Sequence, residues 1–403
     1  MPKIVLKECP KVYIRETHRA KEPAATLELV EKIRKVAGIN EIVEVSGCDR
    51  TRIPAFICER VRPDGSKTTH TGKGLTDTQA RVSLIMEAIE RYSSEYRDDY
   101  FGGLVRGSYA GLRGRMNVLN PEELILSPYS EYSRDIEFLW ARGFDLVSGA
   151  EILVPACEVY HPFHLDPATM VHTHTNGLAS GNTLEEAVFH ALSELIERDA
   201  WSIAKFRNEP GQVVLVENIP ENDFLIAIID RFEAADIRVV VKNITSDVGV
   251  PVMAAFSSDT ACPEMVVMDG FGAHLDPRAA MARALLELAV TRSVFLKKYG
   301  RDGLCESLLL SAQEEDNRFY CDSEIALGEL PAQFSGDIAE DIAVVLEKLR
   351  TRGLEKVIVA DLSREDTGVP VVRVIVPGLE NYCFDRGRRG ARLFGHARGE
   401  EEE

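Results

Sequence analysis

A narrow line of acidic side chains runs along one predicted helix, residues 184–198. At about 100° per residue, the side chains on this line are those of Glu186, His190, Glu194 and Glu197. Most other positions are apolar, the reverse of an ordinary surface helix. Clustered carboxylates need a neutralising partner, and a divalent cation is the simplest one. A solvated acidic face is the alternative, but it predicts more basic neighbours than Arg198 alone.

The same arrangement occurs earlier in the chain. There, one face of a predicted helix carries a serine and two glutamates, Ser83, Glu87 and Glu90. Gly74 precedes Glu87 by thirteen residues, as Gly181 precedes Glu194. In both stretches a Glu-x-x-Glu sequence runs directly into an arginine.

A weaker third copy spans residues 272–292. Ala280 stands seven residues before Glu287, the spacing found in the other two copies. The second glutamate is replaced by Val290, and Arg292 follows. Three related loop–helix stretches indicate internal duplication.

Carboxylate oxygens without cysteine ligands suit a hard cation such as Mg²⁺ or Ca²⁺. Glycine-rich loops at 72–74 and 177–181 can present backbone N–H groups to phosphate at a helix N-terminus. Basic side chains flank the acids, namely Lys73, Arg91, Arg198 and Arg292. Acids that hold metal beside bases that hold an anion are typical of a metal-bridged triphosphate. The residues therefore favour ATP–Mg²⁺, with a structural Ca²⁺ or Mg²⁺ site as the alternative.

Other motifs do not fit. Leu75 stands where a Walker A loop requires Ser or Thr. The histidines of a Pro-containing loop predict hydrogen bonding rather than a structural zinc site; they are His161, His164, His172 and His174. The eight cysteines have no Cys-x-x-Cys spacing, so the sequence indicates neither zinc nor a disulfide framework.

A net charge of −18 opposes nucleic acid and anionic membrane as partners. The sequence shows no signal peptide or membrane-spanning apolar run, so we expect a soluble cytoplasmic protein. Only four glutamines and 28% charged residues suit a thermophile, although the acid excess would also suit a salty cytoplasm.

Strand-like and helix-like stretches alternate along the chain, which predicts an α/β or α+β fold. Repeated strand–strand–helix patterns favour ferredoxin-like layers over one doubly wound sheet. No composition break marks a linker among the 403 residues. We therefore expect one compact unit with pseudo-repeats at 40–130, 131–210 and 211–300, and a closing region at 301–403 with an acidic tail.

These stretches resemble the YcaO family, whose members use ATP to activate peptide backbone amides. The likeness lies in the two Glu-x-x-Glu-Arg stretches with their loops, in residues 276–292 and in residues 370–379. It implies a YcaO fold, and that Mg²⁺ ions bridging ATP phosphates are held by Glu87, Glu90, Glu194 and Glu197. It also implies a nucleotide site formed by Ser83, Asn182, Glu186, Arg198, Glu287 and Arg292. Lys73 is expected beside the phosphates, and Lys21 resembles a phosphate-contacting lysine of the family. No catalytic residue is assigned.

Within the family, the chain looks like stand-alone archaeal members that thioamidate a glycine of methyl-coenzyme M reductase. In that chemistry sulfide adds to the amide carbonyl, ATP phosphorylates the oxyanion, and phosphate leaves. Azoline-forming cyclodehydratases commonly end in a proline-rich tail, whereas this chain ends in arginines, glycines and acids. The cyclodehydratase and a non-catalytic nucleotide-binding scaffold stay as alternatives.

The expected partners follow from this resemblance. They are a peptide segment of a protein substrate, sulfide or a sulfur-delivery protein, a TfuA-like accessory protein and a second copy of the chain. The sequence does not identify the sulfur donor.

Overall fold

Strands and helices alternate along the chain in the computed structural model, which describes residues 3–62, 64–98, 103–166, 168–259, 267–308 and 323–395. The strands are β1 (Tyr13–Ile14), β2 (His18–Arg19), β3 (Ile39–Glu44), β4 (Ala55–Val61), β5 (Lys67–Lys73), β6 (Val105–Ser108), β7 (Glu137–Asp145), β8 (Ala150–Pro155), β9 (Leu178–Ser180), β10 (Gln212–Leu215), β11 (Ile237–Asn243), β12 (Val252–Asp259), β13 (Met268–Ala273), β14 (Glu324–Ala326), β15 (Ile358–Asp361) and β16 (Val371–Ile375).

The helices differ widely in length. They are α1 (Pro23–Ile33), α2 (Asp77–Ser94), α3 (Tyr109–Leu112), α4 (Ala156–Val159), α5 (Leu184–Arg207), α6 (Asp223–Glu233), α7 (Pro277–Leu308) and α8 (Ile338–Arg350). The predicted mixed class is confirmed. The run of residues 152–160 is strand-like in sequence, but the strand ends at Pro155 and a short helix, α4, follows.

The chain divides into two units, each assembled from separate segments. Unit 1 comprises residues 1–9, 89–207 and 337–403, and unit 2 comprises residues 10–88 and 208–336. The absence of a linker had suggested one compact unit instead. The chain passes from one unit to the other four times, once inside α2. A helix that continues through such a passage needs no change of composition, so the sequence carries no linker signal there.

Antiparallel pairing dominates the sheets. In unit 1, a six-stranded sheet has the order β6–β7–β15–β16–β9, with β8 paired to β7. Unit 2 contains a five-stranded sheet in the order β13–β12–β11–β10–β14 and a three-stranded sheet, β3–β4–β5. The β10–β14 pair is parallel, with Val213 opposite Glu324.

The three predicted loop–helix copies share one local structure. In each, a strand ends, three residues follow and a helix begins: β5 with α2, β9 with α5, and β13 with α7. A Cβ atom at Gly74 would lie 2.7 Å from the Ala80 nitrogen, and one at Gly181 would lie 2.4 Å from the Ala187 nitrogen. At these two positions only glycine permits this approach of loop to helix. His274 stands at the same place in the third copy. The wider repeat boundaries at 40–130, 131–210 and 211–300 stay predictions.

Each unit has a buried core that holds its helices. In unit 2, the apolar faces of α6 and α7 pack on the sheet through residues such as Phe232, Leu285 and Met253. In unit 1, β16 is buried along its whole length, and fifteen of the 24 residues of α5 are buried. The expected acidic tail, Glu400–Glu403, lies outside the described residues. Within the described ranges, no helix is long and apolar enough to span a membrane.

Candidate functional site

The narrow line of acidic side chains on α5, called the acidic stripe below, has two members next to Arg198 in unit 1. Arg198 Nε is 3.6 Å from Glu197 Oε1 and 4.0 Å from Glu194 Oε1. Burial raises the pKa of Glu194, the positive charges of Arg198 and Arg91 oppose that rise, and the charge of Glu197 adds to it. The carboxylates of Glu194 and Glu197 thus share the guanidinium of Arg198, which offsets part of their negative charge.

Glu90, an acid of the first copy, contacts the strand of the second copy. Its Oε2 atom accepts a hydrogen bond of 3.1 Å from the backbone N–H of Ser180, the last residue of β9. Its Oε1 atom lies 2.9 Å from Arg91 Nη1. Glu90 is buried, so these two partners hold a carboxylate that water barely reaches.

Arg373 is a buried cation beside the same acids. Burial lowers its pKa to about 10, while the charges of Glu158, Glu194 and Glu90 act to raise it. It is the one charged side chain of the apolar strand β16. A single charged residue in an apolar strand indicates a buried charge that needs partners. No spacing in the sequence indicates which acids are the partners of Arg373.

Asn182 and Glu186 form a pair at the N-terminal end of α5. Asn182 Nδ2 donates to both carboxylate oxygens of Glu186, each at 3.1 Å. The Glu186 backbone N–H donates to the Thr183 hydroxyl oxygen at 3.1 Å. Both predicted nucleotide residues are therefore next to each other, and Thr183, which the sequence did not single out, supports them.

In unit 2, the structure pairs two predicted residues from different copies. Lys73 Nζ, at the end of β5, forms an ion pair with the Glu287 carboxylate of α7. Both side chains are partly exposed. The third copy thus supplies a carboxylate to the loop of the first copy, although no spacing within either copy could indicate this contact.

Glu87 and Ser83 lie half-buried on α2, also in unit 2. Glu87 Oε1 lies 3.4 Å from Nδ1 of the buried His70. The carboxylate also affects a thiol, because burial and the charge of Glu87 raise the pKa of Cys58 to about 12. His70 and Cys58 lie on the three-stranded sheet, and sequence reasoning did not connect them with Glu87.

Arg292 is held in a buried ion-pair network in unit 2. Its Nε atom donates to Asp49 Oδ2 at 2.8 Å, and its Nη2 atom lies 3.3 Å from Asp259 Oδ2. The side chain is only 1% exposed. The structure therefore gives Arg292 two carboxylate partners within the protein. Lys21 lies exposed just before α1, so it is open to an anionic ligand.

The donor set fits Mg²⁺ bound together with phosphate. Among the residues that the structure describes, no three His, Cys, Asp or Glu side chains form a ready metal cluster. Mg²⁺ usually takes one or two carboxylates and completes its shell with phosphate oxygens and water. Glu194 and Glu197 supply oxygen ligands, and Arg198 and Arg91 supply guanidinium groups suited to phosphate. Glu194, Glu197, Arg91 and Arg198 include no thiol or imidazole, the ligands typical of zinc.

Comparison with known proteins agrees with this donor set. A family model described as YcaO cyclodehydratase, ATP- and Mg²⁺-binding, matches residues 71–380. The chain belongs to the YcaO family. The predicted YcaO fold and the predicted ATP and Mg²⁺ cofactors are thereby confirmed.

Individual YcaO relatives cover nearly the whole chain. A protein of Methanothermobacter thermautotrophicus is 36% identical over 389 residues, covering 93% of this chain and 98% of the relative. The structure of YcaO from Methanopyrus kandleri, bound with AMPPCP and Mg²⁺, is 31% identical with a TM-score of 0.78. It covers 95% of this chain and 98% of that chain. A Rhizobium leguminosarum bv. trifolii protein in the tfuA 3′ region is 27% identical, covering 90% of this chain and 88% of its own length.

Proposed function

We propose that this YcaO protein converts a peptide backbone amide into a thioamide, with sulfide as nucleophile and ADP and phosphate as products. We infer that the target is a glycine of the methyl-coenzyme M reductase alpha subunit. The carrying observation is the Glu194 and Glu197 pair on Arg198, because it combines metal ligands with a phosphate partner. The similar protein from Methanothermobacter thermautotrophicus supports a methanogen setting. The relative in the tfuA region supports a TfuA-like accessory protein.

The residues of unit 1 have distinct roles in this proposal. Glu90, Glu194 and Glu197 hold Mg²⁺. Arg198, which lies beside Glu194 and Glu197, would hold phosphate oxygens of the bound nucleotide. The nucleotide is also contacted by Asn182 and Glu186, whose mutual hydrogen bonds orient both side chains.

The proposal also names residues of unit 2. Glu87 is a metal ligand, and its contact with His70 fixes the direction of one oxygen. The remaining members act on the nucleotide; they are Lys21, Lys73, Ser83, Glu287 and Arg292. Arg292 is the least direct of these, because its guanidinium binds Asp49 and Asp259.

The chemistry follows from the poor leaving ability of an amide oxygen. Bound ATP–Mg²⁺ supplies the phosphoryl group that makes this oxygen a good leaving group. The protein must hold three sets of negative charge close together: carboxylates, phosphates and the oxyanion formed from the amide. Arg91 and Arg198 counter part of that charge, and their partly buried setting strengthens the attraction because water screens it less.

An azoline-forming cyclodehydratase is the second candidate, and the description of the matching family favours it. In that reaction a Cys, Ser or Thr side chain of the substrate replaces sulfide. A nucleotide-binding scaffold without turnover is the third candidate. The three differ in what makes ATP hydrolysis proceed: peptide with sulfide, a peptide bearing its own nucleophile, or neither.

Phosphate release and peptide mass test the proposal together. The full-length protein is incubated with ATP, Mg²⁺, sulfide and a glycine-containing target peptide. We expect phosphate release that needs both peptide and sulfide, and the replacement of one oxygen by sulfur in the peptide. Glu194→Ala is the inactive control, and Glu355→Gln, at an exposed position, is the matched active control. Phosphate release with a Cys-containing peptide alone, with loss of water, would assign the cyclodehydratase instead.

A further inference from the structure

A small cavity lies inside unit 1, next to the acidic stripe. It measures about 30 Å³ as space open to the centre of a water-sized molecule. One water needs about 10–15 Å³ on this measure, so the cavity has room for one or two very small molecules. Apolar walls come from Leu195 and residues 374–379, and polar groups come from Glu158, His174, Asn176, Asn381 and Arg388.

Two of the polar groups form a carboxylate–imidazole pair. His174 Nε2 lies 3.1 Å from Glu158 Oε2. Burial alone would raise the pKa of Glu158, but the charges of His174 and Arg388 hold it at about 2. The Glu158 carboxylate therefore stays ionised and can orient the ring and stabilise an imidazolium, as acids do beside catalytic histidines.

Three buried atoms around the cavity have no hydrogen-bond partner in the described part of the chain: Glu158 Oε1, His174 Nδ1 and Asn176 Oδ1. Glu158 Oε1 forms an ion pair with Arg388 Nη2 at 3.6 Å. The acceptors open to a ligand are therefore Asn176 Oδ1 and, with the ring proton on Nε2, His174 Nδ1. Glu158 and Asn176 are about 95% buried. The Asn176 Nδ2 atom donates to Asn381 Oδ1 at 2.5 Å. The Asn176 Oδ1 atom therefore lies on the opposite side of the amide from Asn381. Because buried acceptors normally have a hydrogen-bond donor, we expect the molecule that fills this cavity to donate hydrogen bonds.

Arg373 connects the cavity with the acids of the proposed metal site. Its Nη1 atom donates to the Asn176 carbonyl oxygen at 2.6 Å, and its Nη2 atom donates to the His174 carbonyl oxygen. The charges of Glu158 and Glu194 both act on this guanidinium. Leu195, in the cavity wall, follows Glu194 directly in α5. The Glu158–His174 pair and the acidic stripe of α5 are therefore neighbours within unit 1.

We propose that this cavity binds hydrogen sulfide, the nucleophile of the proposed thioamidation, and that His174 is its general base. The inference rests on the proposed function. A neutral H₂S molecule can donate to His174 Nδ1 and Asn176 Oδ1 and fits against the apolar wall. Glu158 is a positioning residue, since it acts through the imidazole.

The proposed step is balanced in atoms and electrons. The sulfur attacks the amide carbon, a C–S bond forms, and one S–H proton moves to His174 Nδ1. The carbonyl π electrons move to oxygen, which the ATP of the proposed reaction phosphorylates. When the C–O bond breaks, the remaining S–H proton leaves with the phosphate and C=S forms.

Binding is tested first, because it does not need turnover. Crystals of the full chain are soaked in sodium sulfide near neutral pH, and anomalous sulfur scattering is measured. We expect a sulfur peak within hydrogen-bond reach of His174 Nδ1 and its loss in His174→Gln. A peak without any thioamide product would keep the site and refute the proposed function. Water alone in the cavity of an active protein would overturn the site and leave the function intact.

Kinetics then tests the base. We expect His174→Gln to lower kcat/KM for sulfide about a hundredfold, the scale of a lost general base, with ATP–Mg²⁺ affinity unchanged. The charged groups facing His174 are Glu158, Arg388 beyond it, and Arg373 at its carbonyl. Raising the pH converts H₂S to HS⁻, which needs no base, so the defect should shrink.

Two further variants guard against a folding artefact. His172→Gln, in the same loop but exposed, should behave as wild type in all measurements. Glu158→Gln should weaken sulfide turnover and share the pH rescue, provided that its melting temperature shows a folded protein. A pH-independent defect in His174→Gln, or full activity in that variant, would overturn the role of the base.

Discussion

Glu90 Oε2 accepts a hydrogen bond of 3.1 Å from the backbone N–H of Ser180. This contact ties the acid of the first loop–helix copy to the strand end of the second copy. Ser180 is followed by the loop that leads into α5. The bond thus explains how two repeats that are distant in sequence bring their acids together within unit 1.

Glu90→Gln and Glu90→Ala should separate the structural part of this contact from the metal part. Gln retains an acceptor for Ser180, whereas Ala leaves a buried N–H unpaired at a cost of about 1–3 kcal/mol. We expect Ala alone to lower the free energy of unfolding in urea clearly. Both variants should lose affinity for ATP–Mg²⁺ in calorimetry. Equal stability of the two variants would show that the bond to Ser180 does not matter.

Glu194→Gln should be at least as stable as the wild type at neutral pH. Burial raises the folded-state pKa of Glu194, so its ionisation costs stability. The favourable contribution is present below the ordinary pKa of about 4.3, and it is lost as the pH rises through the raised folded value. Melting curves from acid to neutral pH should show the variant gaining on the wild type over that window. Glu355→Gln should show no such trend, and a much lower melting temperature of Glu194→Gln at neutral pH would make Glu194 a structural ion-pair partner.

ATP and Mg²⁺ together should raise the melting temperature more than either alone. A ligand that binds only the folded state at a hundredfold excess over Kd adds about 2.7 kcal/mol. The metal neutralises the carboxylates and the phosphates neutralise the arginines, so each completes the site of the other. Scanning calorimetry with ATP and a chelator provides the control. An equal shift with Mg²⁺ alone would support the structural cation site instead.

Arg292→Met should destabilise unit 2 strongly. The variant leaves the buried Asp49 without its cation, while Asp259 keeps its ion pair with Arg50. Breaking a buried pair in this way costs about 3–5 kcal/mol. Urea unfolding measures the loss, with Arg115→Met at an exposed position as the control. If Arg292→Met instead keeps its unfolding free energy and loses ATP binding, Arg292 is a nucleotide residue and its network is dispensable.

Cys58 should resist alkylation although it is a free thiol. Burial and the charge of Glu87 raise its pKa to about 12, and only the thiolate reacts. Treatment with iodoacetamide at mildly alkaline pH should label the exposed Cys48 first, as measured by peptide mass mapping. Glu87→Gln should leave Cys58 protected, because burial is the larger cause. Rapid labelling of Cys58 in the native protein would contradict the buried position.

The local structure of the three loop–helix copies could be predicted from the sequence. The glycine, alanine and glutamate spacing indicated three strand–loop–helix copies, and the structure has all three with equal loop lengths. The acid stripe of α5 was visible because helical geometry depends only on neighbouring residues. The choice of a hard cation and phosphate needed only the chemistry of the side chains, and family membership agrees with it.

Tertiary structure decided which residues meet. Arg292 stands five residues after Glu287, one residue further along than Arg198 stands from Glu194, and the fold buries it between Asp49 and Asp259. His174 seemed one of several loop histidines until the fold placed it on Glu158. Spacing describes contacts along one element, whereas these contacts join segments far apart in the chain. Their formation depends on how sheets and helices pack, and no local pattern of residues encodes that packing.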